Sequence, residues 1–271
     1  MGNKMDSIYK DILDKIVLSF STLHTYETCP YAFYLKKIEK EQGISNGYAQ
    51  VGDYGHEIFA DLFAKKITQD EALDKCANDL EGSITEEMSD KSLQKKIAAL
   101  CQYVSDLDLE AFFKKYEVIG IEKKFNWKID NHRMIGFADL ILRNKSDGKV
   151  ILVDHKSAGH FMKKDGVTPL KNQIENFNTY KKQMYLYADA MKKVMGFYPD
   201  LIVWNHFLDA GKKTVIGFNQ KDLEESLVWA LDIIDKMYSD EEFLENQNYM
   251  MCNVLCEYRD SCVYKMSDDD E

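Results

Sequence analysis

Proline is almost missing from this 271-residue chain, at 3 residues, and glycine is sparse at 14. With 14 Phe and 16 Tyr beside them, collagen-like and disordered low-complexity architectures are excluded, because there is ample apolar surface to bury. Long apolar runs are missing too. Stretches such as Ile16-Val17-Leu18 fall far short of the roughly 20 residues that a bilayer-spanning helix needs, so no membrane partner is expected. The N-terminus has no basic stretch leading into an apolar one, and Asp6 stands where a myristoylation signal has Ser or Thr. The expectation is a cytoplasmic protein. Basic residues, 35 in number and only 3 of them Arg, are outnumbered by 46 acidic ones, for a net charge of −11 and a pI near 5.1. As an average, that balance argues against a partner as acidic as nucleic acid.

The average hides an asymmetry. Residues 1–148 carry 20 Lys+Arg and 25 Asp+Glu, residues 149–213 carry 11 and 6, and residues 214–271 carry 4 and 15. The net charges are therefore −5, +5 and −11. The excess acidity is C-terminal, and its last residues, Asp268-Asp269-Asp270-Glu271, read as a solvated disordered tail over 267–271. The middle segment is basic enough to follow a phosphate backbone.

Apolar spacing gives the order of elements. Leu18 to Lys40 reads as a helical entry, with Ser19 and Ser21 as possible caps, and 48–66 and 69–116 are mainly helical with a break at Gly82-Ser83. Tyr116–Lys128, His132–Arg143 and Lys149–His155 then read as three strands, with turns at Asp130-Asn131 and Ser146-Asp147-Gly148. Helix returns at 171–195, a hairpin spans Leu201–Leu208 and Thr214–Phe218, and 219–240 is amphipathic helix. The expected fold class is α/β (α+β), a mixed central β-sheet flanked by helices with a helical N-terminal elaboration. One domain over 1–271 is expected, with a helical part (19–116), a core (117–240) and a cysteine-rich tail (249–264).

Charged residues mark the ends of two predicted strands. Gly136-Phe137-Ala138-Asp139 lies near the end of one, and Asp154-His155-Lys156 ends the continuously apolar Val150-Ile151-Leu152-Val153. Alternation puts Asp154 and Lys156 on one face, and a neighbouring strand can bring Asp139 beside them. Two carboxylates that close repel unless a cation joins them, and Mg²⁺ characteristically takes one or two carboxylates. A structural salt bridge of Lys156 with either Asp accounts for the same spacing. Cysteine offers a second constellation: Cys252, Cys256 and Cys262 lie together, and Cys29 lies far upstream. Four thiolates suit zinc or an iron–sulfur cluster, whereas Cys76 and Cys101, within helical stretches, read as plain buried thiols.

Taken in order, these segments resemble the RecB-like branch of the PD-(D/E)XK nuclease superfamily, which includes AddB-type and CRISPR-adaptation exonucleases. Gly136 to Asp139 resembles its GxxD motif, and Asp154-His155-Lys156 its (D/E)xK motif. Gly52-Asp53-Tyr54-Gly55-His56 resembles its histidine motif, Gln183-Met184-Tyr185-Leu186-Tyr187 its QxxxY helix, and Ser19-Phe20-Ser21 with Tyr26-Glu27-Thr28-Cys29-Pro30 its N-terminal signature. The resemblance implies a restriction-endonuclease-like core and Mg²⁺ or Mn²⁺ held by His56, Asp139, Asp154 and the backbone carbonyl of His155. Lys156 would join Asp139 and Asp154 as catalytic groups, and Gln183 and Tyr187 would bind substrate. Glu122 sits where relatives often carry an acidic residue, and a solvated strand face explains it equally well. A [4Fe–4S] cluster on Cys29, Cys252, Cys256 and Cys262 is implied over zinc, although three residues separate Cys252 from Cys256 where the family usually has two. The implied activity is metal-dependent hydrolysis of DNA by an exonuclease acting on single strands or ends. The implied setting is recombination, repair, phage DNA processing or CRISPR adaptation, with protein partners drawn from such complexes. A non-catalytic DNA- or partner-binding subunit that keeps the fold is the alternative.

Overall fold

Near residue 116 the apolar period changes from 3.6 to 2, which is the passage from helix to sheet. The computed structural model describes residues 8–86 and 88–264, so the acidic tail expected at 267–271 lies outside the described residues. Its helices before the sheet are α1 (Lys10–Leu13), α2 (Phe20–Thr28), α3 (Pro30–Tyr34), α4 (Gly47–Phe63), α5 (Gln69–Asn78), α6 (Leu80–Ser83), α7 (Asp90–Ser105) and α8 (Leu109–Lys115). Strands β1 (Tyr116–Ile129), β2 (His132–Asn144) and β3 (Val150–Lys156) follow, then α9 (Ile174–Met195), β4 (Leu201–His206), β5 (Lys212–Gly217) and α10 (Gln220–Ser239). The strands form one sheet in the order β1-β2-β3-β4-β5. β2 and β3 pair antiparallel, β3 and β4 parallel, and β4 and β5 antiparallel, with α9 in the parallel crossover. The mixed sheet with flanking helices expected from the sequence is the fold that forms. Among the described residues, no helix is long and apolar enough to cross a membrane.

The chain divides into two compact units. One comprises 47–125 and 136–223, and the other comprises the residues up to 46, 126–135, and those from 224 onward. In the first, which we call the sheet unit, Ile151 and Val153 of β3 join Leu140, Val203, Phe59 and Leu100 in one buried core. Leu152, Asp154 and Lys156 face the opposite way, and α9 packs against β3. Helix ends carry the expected chemistry: Thr68 and Glu71 form a reciprocal capping box at α5, and Gly196 (φ 89°) closes α9 in the left-handed conformation.

The other, terminal unit subdivides one expected element. The helical entry expected from Leu18 to Lys40 forms as α2, α3 and a π-helical turn, Leu35–Glu39, divided at Cys29. Cys29 is extended (φ −156°, ψ 105°) and Pro30 opens α3 at its first position, where a missing N–H costs nothing. Ser19 caps α2 by accepting from the Thr22 N–H at 3.1 Å. Tyr26, Phe33 and Tyr34 pack their rings around Phe243, and the Tyr26 hydroxyl donates to Asp240 at 2.8 Å.

Candidate active site and cysteine cluster

Register sets the carboxylates. Leu140 pairs with Val153 across β2 and β3, so the next rung brings Asp139 opposite Asp154. The His155 N–H donates to Asp139 Oδ2 at 2.7 Å, which ties the GxxD segment to the end of β3. Asp154, 4 % exposed, receives the Lys156 ammonium: Nζ donates to Oδ1 at 3.1 Å and lies 2.8 Å from Oδ2. That second oxygen is buried and has no hydrogen bond of proper geometry. Burial raises the Asp154 pKa, opposed by Lys156 and reinforced by Asp139. Burial alone would lower that of Lys156, but Asp154 outweighs it, and the net effect is upward. The lysine is held as an ammonium.

The histidine motif reaches the same place from α4. Its glycines are there for close approach: a Cβ at Gly55 would sit 2.8 Å from the buried Phe207 ring, and one at Gly52 would sit 3.3 Å from Ser157 Oγ. With the helix drawn in, His56 Nδ1 comes within 3.3 Å of Asp139 Oδ2. Burial opposes charge on His56, but the hydrogen bond and charge of Asp139 overcome it and raise its pKa. The Asp139 carboxyl is lowered, because His56 offsets the cost of its burial.

Glu122 completes this corner. One ligand atom from each of His56, Glu122 and Asp139 lies within 4.8 Å of the others, a spacing that one cation can bridge. Glu122 has φ 43°, in the left-handed region that an unbranched acidic residue enters only at a cost of about 1–3 kcal/mol. Burial and then Asp139 push its pKa up. A cleft of about 520 Å³ opens here, lined by Asp53, His56, Glu57, Ala60, Asp61 and Glu122.

Behind this corner the imidazole of His155 turns to the opposite face of the strand, as alternation predicts. It packs on Phe59 and Phe63, lies 2.8 Å from Asn205 Nδ2, and is kept neutral by burial, with its pKa lowered to about 4. Asn205 also reaches the Tyr103 hydroxyl at 2.6 Å.

The QxxxY helix explains itself through Lys156. Gln183 Oε1 accepts from Lys156 Nζ at 3.2 Å, and Gln183 Nε2 donates to the Tyr187 hydroxyl at 3.2 Å. Tyr187 is 9 % exposed, and its pKa is raised to about 12, by burial first. Tyr180, one turn before Gln183, lays its ring 4.1 Å from Lys156 Nζ. Sequence reasoning missed Tyr180, although its spacing from Gln183 and Tyr187 puts all three on one helix face. It also missed Asn205 and Tyr103, which carry no motif signal.

Cys29, Cys252, Cys256 and Cys262 lie in the terminal unit. Cys29 and Cys256 pack beside the buried cluster of Ala32, Leu35 and Tyr258. Burial raises the Cys256 and Cys262 thiols, and the neighbouring thiols of Cys29 and Cys252 raise both further. Backbone N–H groups point at two of the sulfurs: Tyr258 to Cys256 Sγ at 3.4 Å and Asn248 to Cys252 Sγ at 3.5 Å. Cys76 is buried in α5, and Cys101 is partly buried in α7, as plain thiols.

No curated protein matches the chain significantly in sequence. Among solved structures, one from Eubacterium rectale described as a "Putative exonuclease" is similar over 98 % of this chain and 95 % of its own, at 14 % identity and a TM-score of 0.55. That likeness gives the fold as restriction-endonuclease-like. The model of the PD-(D/E)XK nuclease superfamily matches residues 17–263, a span that holds every motif residue above. Matched over most of its length, with Asp139, Asp154 and Lys156 converging at the end of β3, the chain belongs to the PD-(D/E)XK nuclease superfamily.

Proposed function

We propose that the protein is a metal-dependent deoxyribonuclease that hydrolyses phosphodiesters as an exonuclease, on single-stranded DNA or at DNA ends. The observation that carries this reading is the convergence of Asp139, Asp154 and Lys156 with His56. The donor set suits a hard divalent cation, being carboxylates and one imidazole, and the buried Asp154 Oδ2, which the Lys156 ammonium approaches without a well-formed hydrogen bond, is the kind of atom such a cation relieves. His56, Asp139, Asp154 and the His155 backbone carbonyl would hold Mg²⁺ or Mn²⁺, with Glu122 adjoining. Bound there, the cation would supply Lewis acidity toward the phosphate and acidify the attacking water. Lys156, kept protonated by Asp154, neutralises the charge that builds on the phosphate during in-line attack. Gln183 aims Lys156, and Tyr187 fixes Gln183, so this pair meets the substrate through the lysine.

Cys29, Cys252, Cys256 and Cys262 are proposed to hold a [4Fe–4S] cluster, with zinc the lesser alternative. Support comes from Cys29 and Cys252 lying close enough to raise the thiols of Cys256 and Cys262, and from N–H donors aimed at two of the sulfurs, a donor set suited to a soft metal group. Its part is structural, and a brown rather than colourless protein distinguishes the two. The chemistry fits DNA processing in recombination, repair, phage replication cycles or CRISPR adaptation.

Incubation of single-stranded DNA labelled at either end with Mg²⁺, Mn²⁺ or EDTA tests the activity. Stepwise shortening with either metal and none in EDTA is expected. DNA that binds but stays intact under all three conditions would instead support the non-catalytic subunit.

A further inference from the structure

Phe137 is out of place for an ordinary strand residue. It lies on β2 between Gly136 and Ala138, which are both buried, yet it is 46 % exposed. The burial along β2 alternates here, with Met134, Gly136, Ala138 and Leu140 inward and Phe137 and Asp139 on the other face. Phe137 therefore stands on the metal-binding side of the strand, two residues from Asp139, at a rise of about 6.6 Å. Lys124 of β1, itself exposed, brings its Nζ to 6.0 Å from the ring centre. An open aromatic face with a neighbouring ammonium is the pairing that takes up a nucleotide. The ring stacks on the base, and the ammonium meets the phosphate.

We propose that Phe137 is the stacking platform for the nucleobase adjoining the scissile phosphate, with Lys124 contacting that nucleotide's phosphate. The proposal rests on the nuclease reading for what lies at Asp139, and it adds a recognition element that favours unpaired bases. A base still stacked and paired in a duplex cannot offer its face to Phe137, so the ring selects single strands or frayed ends. No base edge is read by a phenyl ring, so the preference is for strandedness and not for sequence.

The test is binding of single-stranded oligonucleotides carrying one 2-aminopurine, walked base by base from the end, with Ca²⁺ in place of Mg²⁺. Wild-type protein is expected to change the fluorescence strongly at one position. Phe137→Ala is expected to abolish that change and weaken affinity about tenfold, whereas Phe137→Trp retains both. Lys124→Ala should shallow the salt dependence of binding by about one counterion. Equal fluorescence profiles and affinities for wild type and Phe137→Ala would overturn the proposal. Melting temperatures show that the variants are folded, and truncating so exposed a ring should leave them nearly unchanged. Cleavage of the same DNA in Mg²⁺ is read separately. Stacking without cleavage would sink the nuclease reading and leave Phe137 as a base-stacking residue of a non-catalytic DNA-binding protein, cleavage with no Phe137 effect would overturn the Phe137 proposal alone, and no binding of DNA would overturn both.

Discussion

The carboxylate site and the cysteine cluster are built on opposite plans. At the end of β3, side chains are fixed before any ion arrives: Lys156 is held by Asp154, Gln183 and Tyr180, Asp139 by His56 and the His155 N–H. Those side chains stand on a sheet whose core is closed on the α4 side by apolar residues. Around the cysteines, the supports are short turns, Leu35–Glu39 and Met251–Leu255, with a small cluster of three buried residues. The first region can keep its shape when empty. The second sets Cys29 and Cys252 where they raise the thiols of Cys256 and Cys262, so the metal group proposed for it would also be what holds it together.

The largest expected effect separates these plans through catalysis. Lys156→Met, which keeps the apolar stem, should lower cleavage at least about a thousandfold while far-UV circular dichroism stays native. It also leaves Asp154 buried without its cation, so added Mn²⁺ should raise the melting temperature of this variant more than that of wild type. Equal shifts would mean that Asp154 does not hold the ion.

Cys256→Ser tests the other region. We expect loss of the bound metal and a separate low-temperature unfolding transition for the terminal unit, worth several kcal/mol, read by calorimetry with metal analysis. If the variant keeps its metal and a single transition, the cysteine region is as preformed as the sheet site.

Backbone approach gives a smaller effect. Gly55→Ala drives a methyl to 2.8 Å from the Phe207 ring and should cost about 1–3 kcal/mol by chemical denaturation, outweighing the better helix propensity of alanine. Gly52→Ala, facing only a hydroxyl at 3.3 Å, should cost less. A stabilised Gly55→Ala would show that α4 is free to shift, contrary to a rigid site.

An effect of comparable size, visible only on acidification, is a pH slope within the sheet unit. His206, buried between the Ala158 carbonyl and the Thr214 hydroxyl, has its pKa lowered to about 4, chiefly by burial. Between about pH 6.5 and 4 the unfolded chain binds this proton and the folded chain does not. The stability it gives is present above that window and is lost as pH falls through it, on the order of 2 kcal/mol. His206→Gln should flatten the slope of unfolding free energy over that range, and an unchanged slope would assign it to other groups.

Much of this fold was legible because local signals agreed. Asp130-Asn131 and the Val150–Val153 run placed the first three strands to within a residue or two, and the helix expected at 171–195 ends at Met195. The parallel pairing of β3 with β4 was not legible, since strand direction across a crossover leaves no periodic mark. Nor was the break at Cys29-Pro30, where helical apolar spacing continued through a residue that the chain holds extended. In the site, Asp139, Asp154, Lys156 and His56 were readable from motif order. Glu122 was named without a firm role, because its part depends on an unusual backbone angle that no residue spacing reveals. The bonds that aim Lys156, to Gln183 and the Tyr180 ring, needed coordinates.

The central claim is that buried carboxylates at the end of β3 hold a catalytic divalent cation. Asp154→Ala, assayed for Mn²⁺ affinity by titration calorimetry and for cleavage of end-labelled single-stranded DNA in the same buffer, tests it most directly. The account predicts that both fall together, by about a hundredfold or more, in a protein that still unfolds cooperatively. Wild-type Mn²⁺ affinity and cleavage in that variant would contradict it.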